Sequence, residues 1–228
     1  MMNFEAFNYN ANTHYFTTKC FKNEFQEFYC TLCMYSIDYL LWQRPEPTCL
    51  DGIKNGNETG VDCGGDCTPC YEVGGQGQAN GIIIYDKGAY TDGWRYIEVA
   101  SEDDPNSTCF LSNTFTTSLN TDNNIGTGKA NTQYLINATG TNWNFASSYS
   151  LNGKSDWFVP SKDELKLIYE MKSSIPNLIL TVGECKSYWC STLEQLPNDK
   201  WTPTVASMTN GVFGFTNPGQ RVRFIRYF

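Results

Sequence analysis

The sequence is poor in histidine. It contains one, His14, in 228 residues, and residues 71–228 contain none. Serine-triad hydrolysis, zinc or iron chemistry with histidine ligands and proton shuttling by imidazole all need this side chain at the site. The sequence therefore excludes these chemistries from residues 71–228.

Charge and long apolar stretches are also scarce. Charged residues make up 18% of the chain, the formal net charge is −8, and no run of Lys and Arg occurs. Nucleic-acid binding requires a positive surface that neutralises phosphates, so we predict no nucleic-acid partner. No window contains the roughly 18 consecutive apolar residues of a membrane helix, which predicts no membrane span.

Cysteine, in contrast, is abundant. The chain has ten, and four of them lie in residues 49–70 among Gly, Asn, Asp and Thr. This segment, here called the knot, has little apolar material to bury, so it needs cross-links to hold a shape. We predict that Cys49, Cys63, Cys67 and Cys70 form two disulfides in an oxidising compartment. Four-cysteine zinc binding and calcium binding by the acidic oxygens of the knot are the alternatives, and the preferred interpretation has no metal.

A second cysteine pair lies near the C-terminus. Cys185 and Cys190 are separated by four residues. A structural disulfide, between them or from one of them to Cys109, is the preferred interpretation. A reactive pair that binds copper or cycles between thiol and disulfide is the alternative.

The chain divides into three zones. Residues 1–48 form an N-terminal segment without clear periodicity, residues 49–70 are the knot, and residues 71–228 are the predicted globular domain. The cysteines favour an extracellular or cell-surface location, although no secretory signal is recognisable in this chain.

Residues 71–228 show the pattern of an α+β fold, with few helices amid many short strands. Ser161 followed by Glu164 is a capping box that predicts a helix start, and a second short helix is predicted over 129–137. The predicted strands cover 81–85 and 94–99, and lie near 188–192, 204–208, 212–215 and 221–227.

The candidate ligand-binding residues are polar or aromatic side chains of one stretch near the C-terminus. They are Trp189, Glu194, Asn198, Asp199, Lys200 and Trp201. Exposed tryptophan beside Asn and Asp is common in carbohydrate and protein binding. Core packing is the alternative for both tryptophans and is at least as well supported for Trp189. Arg221, Arg223 and Arg226 are predicted either to bind acidic ligands or to pair with carboxylates of their own fold.

Seven sequence blocks in residues 72–228 occur in an order that resembles the Lcl C-terminal domain family, named for a bacterial collagen-like adhesin. They are the Gly-rich lead-in GGQGQANG (residues 74–81), GIIIYDK from Gly81, DGWRYIE from Asp92, GTGKAN from Gly126, DWFVPSKDEL from Asp156, Tyr188-Trp189 and VRFIR from Val222. The knot resembles a Cys-rich DGIxNGxETxxDCGGxC module of bacterial surface proteins.

The resemblance implies a C-type-lectin-like domain with two short helices and several short antiparallel strands, preceded by a small disulfide-rich knot. It also implies a non-catalytic adhesion module at the cell surface, without a cofactor, that binds glycans or surface proteins. Glycosaminoglycan binding and a homo-trimer are associated with the adhesin type.

The chain departs from the family at Cys190, where serine is usual after Tyr-Trp. The spacing of Cys185 and Cys190 is similar to that of the two cysteines in formylglycine-generating enzymes, which share the broad fold class. The alternative function is therefore an oxidoreductase that uses Cys185 and Cys190.

Overall fold

The computed structural model describes residues 49–105, 115, 120–139, 143–181, 186–198, 200–214 and 221–228. The predictions for residues 1–48, Cys109, Cys185 and Asp199 lie outside these residues. Thr48–Phe228 cluster into one compact unit, so the knot packs with the residues that follow it.

The first sheet has three antiparallel strands in the order β1-β2-β6. They are β1 (Ile82–Thr91), β2 (Trp94–Val99) and β6 (Ile225–Tyr227). The turn between β1 and β2 consists of Asp92 and Gly93, both with positive φ (52° and 81°). An Asp-Gly pair with this backbone favours a two-residue hairpin whose twist matches that of the strands.

The second sheet is also antiparallel, in the order β3-β4-β5. It consists of β3 (Ser187–Gln195), β4 (Trp201–Ser207) and β5 (Phe213–Gly214). The C-terminal stretch contacts both sheets: the Trp189 N–H donates to the Arg221 carbonyl at 2.9 Å, and Ile225 pairs with Val99 of β2. This stretch therefore joins the two sheets.

Three helices occur in the described part of the chain, α1 (Gly128–Thr139), α2 (Asn144–Ser148) and α3 (Lys162–Glu170). The predicted capping box of α3 is confirmed: Ser161 Oγ accepts from Glu164 N–H and Glu164 Oε2 accepts from Ser161 N–H at 2.7 Å. α2 was not predicted, because its five residues carry no side-chain cap and are too few for a helical period.

The α+β prediction is confirmed at the level of few helices and short antiparallel strands. The two strands with the strongest apolar pattern are present, and β1 continues to Thr91, beyond the predicted end at residue 85. β1 shifts register twice, between Ile83 and Tyr85 and between Asp86 and Thr91. Such irregularities interrupt the alternation that a sequence pattern can detect.

Two apolar clusters form the core. One surrounds aromatic side chains of the helical region and the second sheet, including Trp143, Trp157 and Trp189. The other packs the first sheet against α3 through Ile97, Leu165 and Ile168, all without exposed surface.

Candidate functional site

The four cysteines of the knot form two disulfides with one another. Cys49 pairs with Cys67 and Cys63 pairs with Cys70, which confirms the two predicted disulfides. Because every sulfur is in a disulfide, the zinc alternative is wrong. The acidic side chains of the knot accept backbone N–H groups: Asp51 Oδ1 accepts from Ile53 at 2.9 Å and Asp62 Oδ1 accepts from Asp51 at 2.9 Å. These carboxylates therefore shape the turns of the knot.

Arg95 attaches the knot to the first sheet. Its guanidinium donates to both carboxylate oxygens of Asp86 on β1 (2.8 and 3.0 Å), to the Val61 carbonyl and to Cys63 Sγ (3.4 Å). Burial raises the pKa of Asp86, but the hydrogen bonds and charge of Arg95 outweigh it, so the pKa lies below its ordinary value. The Tyr90 N–H also donates to Asp62 Oδ2 at 3.3 Å. The knot and the sheet are thus held together by polar contacts that are at least partly buried.

A cavity of about 210 Å³, here called the cleft, lies where the knot meets the sheet. Its lining consists of Asp62, Thr68, Gln78, Tyr90, Arg95, Tyr96 and Phe228. Asp62 and Tyr96 are 4% and 3% exposed, so they form a buried floor. The lining thus combines residues of the knot, the Gly-rich lead-in, the first sheet and the C-terminal residue.

Glu98 shapes the lead-in loop that carries Gln78 to the cleft. Its Oε1 atom accepts from the N–H groups of Ala79 and Gly81, both at 2.8 Å, and its Oε2 atom accepts from Arg226 Nη1 at 3.0 Å. Gly77 lies so close that an added Cβ would stand 2.4 Å from Glu98 Cδ. The glycines of the lead-in therefore allow the backbone to close over a buried carboxylate.

The three C-terminal arginines pair with carboxylates of their own fold, which was one of the two predicted roles. Arg223 Nε donates to Asp103 at 2.7 Å, and Arg226 makes two bonds of 2.9 Å to Asp156 in addition to its bond to Glu98. Arg221 Nη1 lies 3.7 Å from Asp103. In the described structure these side chains stabilise the fold.

The β3–β4 turn brings four of the predicted ligand-binding residues together at one end of the second sheet, here called the hairpin end (residues 194–201). Asn198 and Lys200 are exposed, and the Leu196 N–H donates to the Lys200 carbonyl at 2.6 Å. Trp201 is half-buried against the core, and Glu194 is paired with Lys162 of α3. Asp199 lies between them in sequence but outside the described residues.

Trp189 does not belong to this surface. It is 5% exposed and pairs with Val205 inside the second sheet. The core alternative is therefore correct for Trp189, and its predicted contact with a ligand is not available in this structure.

Cys190 is a free, fully buried thiol, so the predicted disulfide through Cys190 is wrong. Its Sγ atom donates to the Thr192 carbonyl at 3.7 Å. Burial raises the pKa of Cys190 to about 12, against hydrogen bonds from nearby groups that lower it. The thiol is therefore protonated at neutral pH, and Cys185, its proposed partner, lies outside the described residues.

The cleft was missed by the sequence analysis. Thr68, Gln78 and Tyr90 come from three separate segments and carry no shared motif. The one local signal is the cluster of glycines around Gln78, which marks a backbone that passes close to other groups.

Among the described residues, no helix combines the length and apolar character needed to cross a membrane. Comparison with protein-family models and with curated proteins finds no match to this chain.

Proposed function

We propose that this protein is a non-catalytic binding module of the cell surface or extracellular space, related to the Lcl C-terminal domains and C-type-lectin-like in fold. In this proposal the cross-linked knot and the two sheets are a rigid support for loops that contact a glycan or a surface protein. Disulfides in the knot suggest an oxidising environment, which supports a location outside the cell.

The observation that carries the proposal is the arrangement of the hairpin end. Exposed Asn198 and Lys200 offer an amide and an ammonium group beside the half-buried indole of Trp201. Two backbone hydrogen bonds, of 2.7 and 2.8 Å, also join Trp201 to Phe115. An aromatic surface with adjacent polar groups on a rigid strand pair is typical of recognition sites.

Burial of the Cys190 thiol disfavours the oxidoreductase alternative. A thiol that attacks a substrate needs exposure and a lowered pKa, and Cys190 has neither. This observation supports binding over catalysis as the role of the described domain.

A binding experiment with the full chain tests the proposal. The chain is applied to an array of neutral, sialylated and sulfated glycans and to immobilised surface proteins, beside the variants Lys200→Ala and Trp201→Ala. We expect each variant to lose about tenfold in affinity, the effect of removing one well-placed contact. Lys166→Ala is the matched control, because Lys166 is an exposed lysine of α3 whose side chain is 61% exposed.

Two results would contradict the proposal. One is the absence of any glycan or protein ligand for the folded chain. The other is turnover of a thiol or aldehyde-forming substrate that disappears in Cys190→Ala. Light scattering of the purified chain also tests the homo-trimer that the family resemblance implies.

A further inference from the structure

We infer that the cleft between the knot and the first sheet binds a single uncharged sugar residue. This inference rests on the proposed binding function and names a ligand class and a second contact site for it. It concerns residues that are separate from the hairpin end.

The size of the cleft fits one small ring. Its volume of about 210 Å³ is well above the ~10–15 Å³ that a cavity needs to hold a single water molecule. Pockets for drug-sized ligands are larger, about 300–1,000 Å³. The cleft therefore has room for a monosaccharide unit, whereas a folded peptide element would not enter it.

Its walls match the two kinds of surface that a sugar presents. Tyr90 supplies a half-buried aromatic ring, against which the C–H face of a pyranose ring can pack. Tyr96 and Phe228 form the wall behind it, where their rings pack against each other. Within the described chain, the side chains of Thr68 and Gln78 have no hydrogen-bond partner, so a hydroxyl and an amide are available to the ligand. Hydroxyl groups need both donors and acceptors, and these two side chains provide both.

Asp62 places a carboxylate in the floor of the cleft. Its buried carboxylate accepts from the N–H groups of Asp51, Gly52 and Tyr90. The Gly52 N–H reaches both carboxylate oxygens, at 3.0 and 3.1 Å, so these contacts fill the roughly four positions at which a carboxylate can accept. Asp62 therefore contributes negative charge to the floor. A further anion placed beside this carboxylate would be repelled.

The charges in and around the cleft favour a neutral ligand over a sulfated one. Arg95 is the one cation on the described lining, and its donors are directed at Asp86, Val61 and Cys63. A sulfate or uronate would thus meet no available positive group in the cleft, and the net charge of −8 opposes the approach of a polyanion.

The cleft is also preorganised. The Cys63–Cys70 disulfide fixes the knot wall, Arg95 joins that wall to β1, and Glu98 fixes the loop that carries Gln78. Little ordering is required when a ligand enters, and this lowers the entropic cost of binding a small molecule.

The test uses the full chain and two variants of the cleft that leave its buried floor intact. Binding of methyl hexosides and N-acetylhexosamine is measured by calorimetry and ligand-observed NMR, with heparin as the sulfated probe. Thr68→Ala and Gln78→Ala each remove one available polar group, so we expect each to weaken neutral-sugar binding about threefold to tenfold. Gln76→Ala is the matched control, because Gln76 is an exposed glutamine of the same loop that does not line the cleft.

The outcomes separate this inference from the proposed function. Neutral-sugar binding that falls in Thr68→Ala and Gln78→Ala but not in Gln76→Ala supports the cleft. Binding of a glycan or protein that depends on Lys200 and ignores both cleft variants overturns the cleft while the proposed function stands. Preference for heparin over neutral sugars, or no neutral-sugar binding at all, also overturns it.

Discussion

Replacement of Arg226 by methionine probes the buried ion pair that shapes the lead-in loop. Glu98 has no exposed surface, and Arg226 is 3% exposed. In Arg226→Met the Glu98 carboxylate keeps its two backbone donors, Ala79 and Gly81, but loses the guanidinium that compensates its charge.

The expected loss follows from the asymmetry of buried pairs. Removing one partner leaves an uncompensated buried charge, which costs about 3–5 kcal/mol of unfolding free energy. Glu98→Gln should cost less, about 1–2 kcal/mol, because Arg226 keeps its two bonds to the half-exposed Asp156. The double variant has no stranded charge, so we expect it to be at least about 1 kcal/mol more stable than Arg226→Met.

Urea unfolding of the four proteins, followed by tryptophan fluorescence, gives these free energies and completes the double-mutant cycle. Amide hydrogen exchange at Ala79 and Gly81 reports whether the loop still closes over position 98. The reasoning is refuted if Arg226→Met costs less than Glu98→Gln, or if the double variant is no more stable than Arg226→Met alone.

Three further predictions concern local contacts. Cys190 should resist alkylation in the native chain at pH 8 and react in urea, because burial raises its pKa to about 12. Mass spectrometry of the peptide that contains Cys190 measures the extent of alkylation. Rapid alkylation of the native chain would contradict the prediction. The pKa of Asp86 is lowered in the fold, so its stabilising contribution is complete above the unfolded value of about 3.9 and is lost as pH falls through the folded value. When the pH is lowered from about 6 to about 3, Asp86→Asn should therefore lose less unfolding free energy than the parent, as measured by urea titration at each pH. Equal losses in the two proteins would contradict the Asp86–Arg95 contact. Gly77→Ala should destabilise the fold by about 1–3 kcal/mol, because its Cβ would overlap Glu98 Cδ, whereas the neighbouring change Gln76→Ala should have little effect in the same assay.

Features that depend on a few neighbouring residues could be predicted from the sequence. The capping box of α3, for example, joins residues only three positions apart. The need for cross-links in the knot followed from its composition alone. These inferences hold because a helix cap and a lack of apolar material are local properties of the chain.

The disulfide pairing, the burial of particular side chains and the position of the cleft could not be predicted in this way. Four cysteines allow three pairings, so the choice of Cys49–Cys67 and Cys63–Cys70 was open until the chain was folded. The same holds for Trp189 and Cys190, whose place in the core depends on strand pairing with β4.

The composition and local patterns of this chain determined an acidic α+β domain with a cross-linked knot. The tertiary structure alone decided which side chains meet: it buried Cys190 and Trp189, gathered the hairpin end, and formed a cleft from Thr68, Gln78 and Phe228. The physical reason is that a cleft is made by the packing of segments far apart in the chain, and no periodicity or short motif encodes which of them will be neighbours.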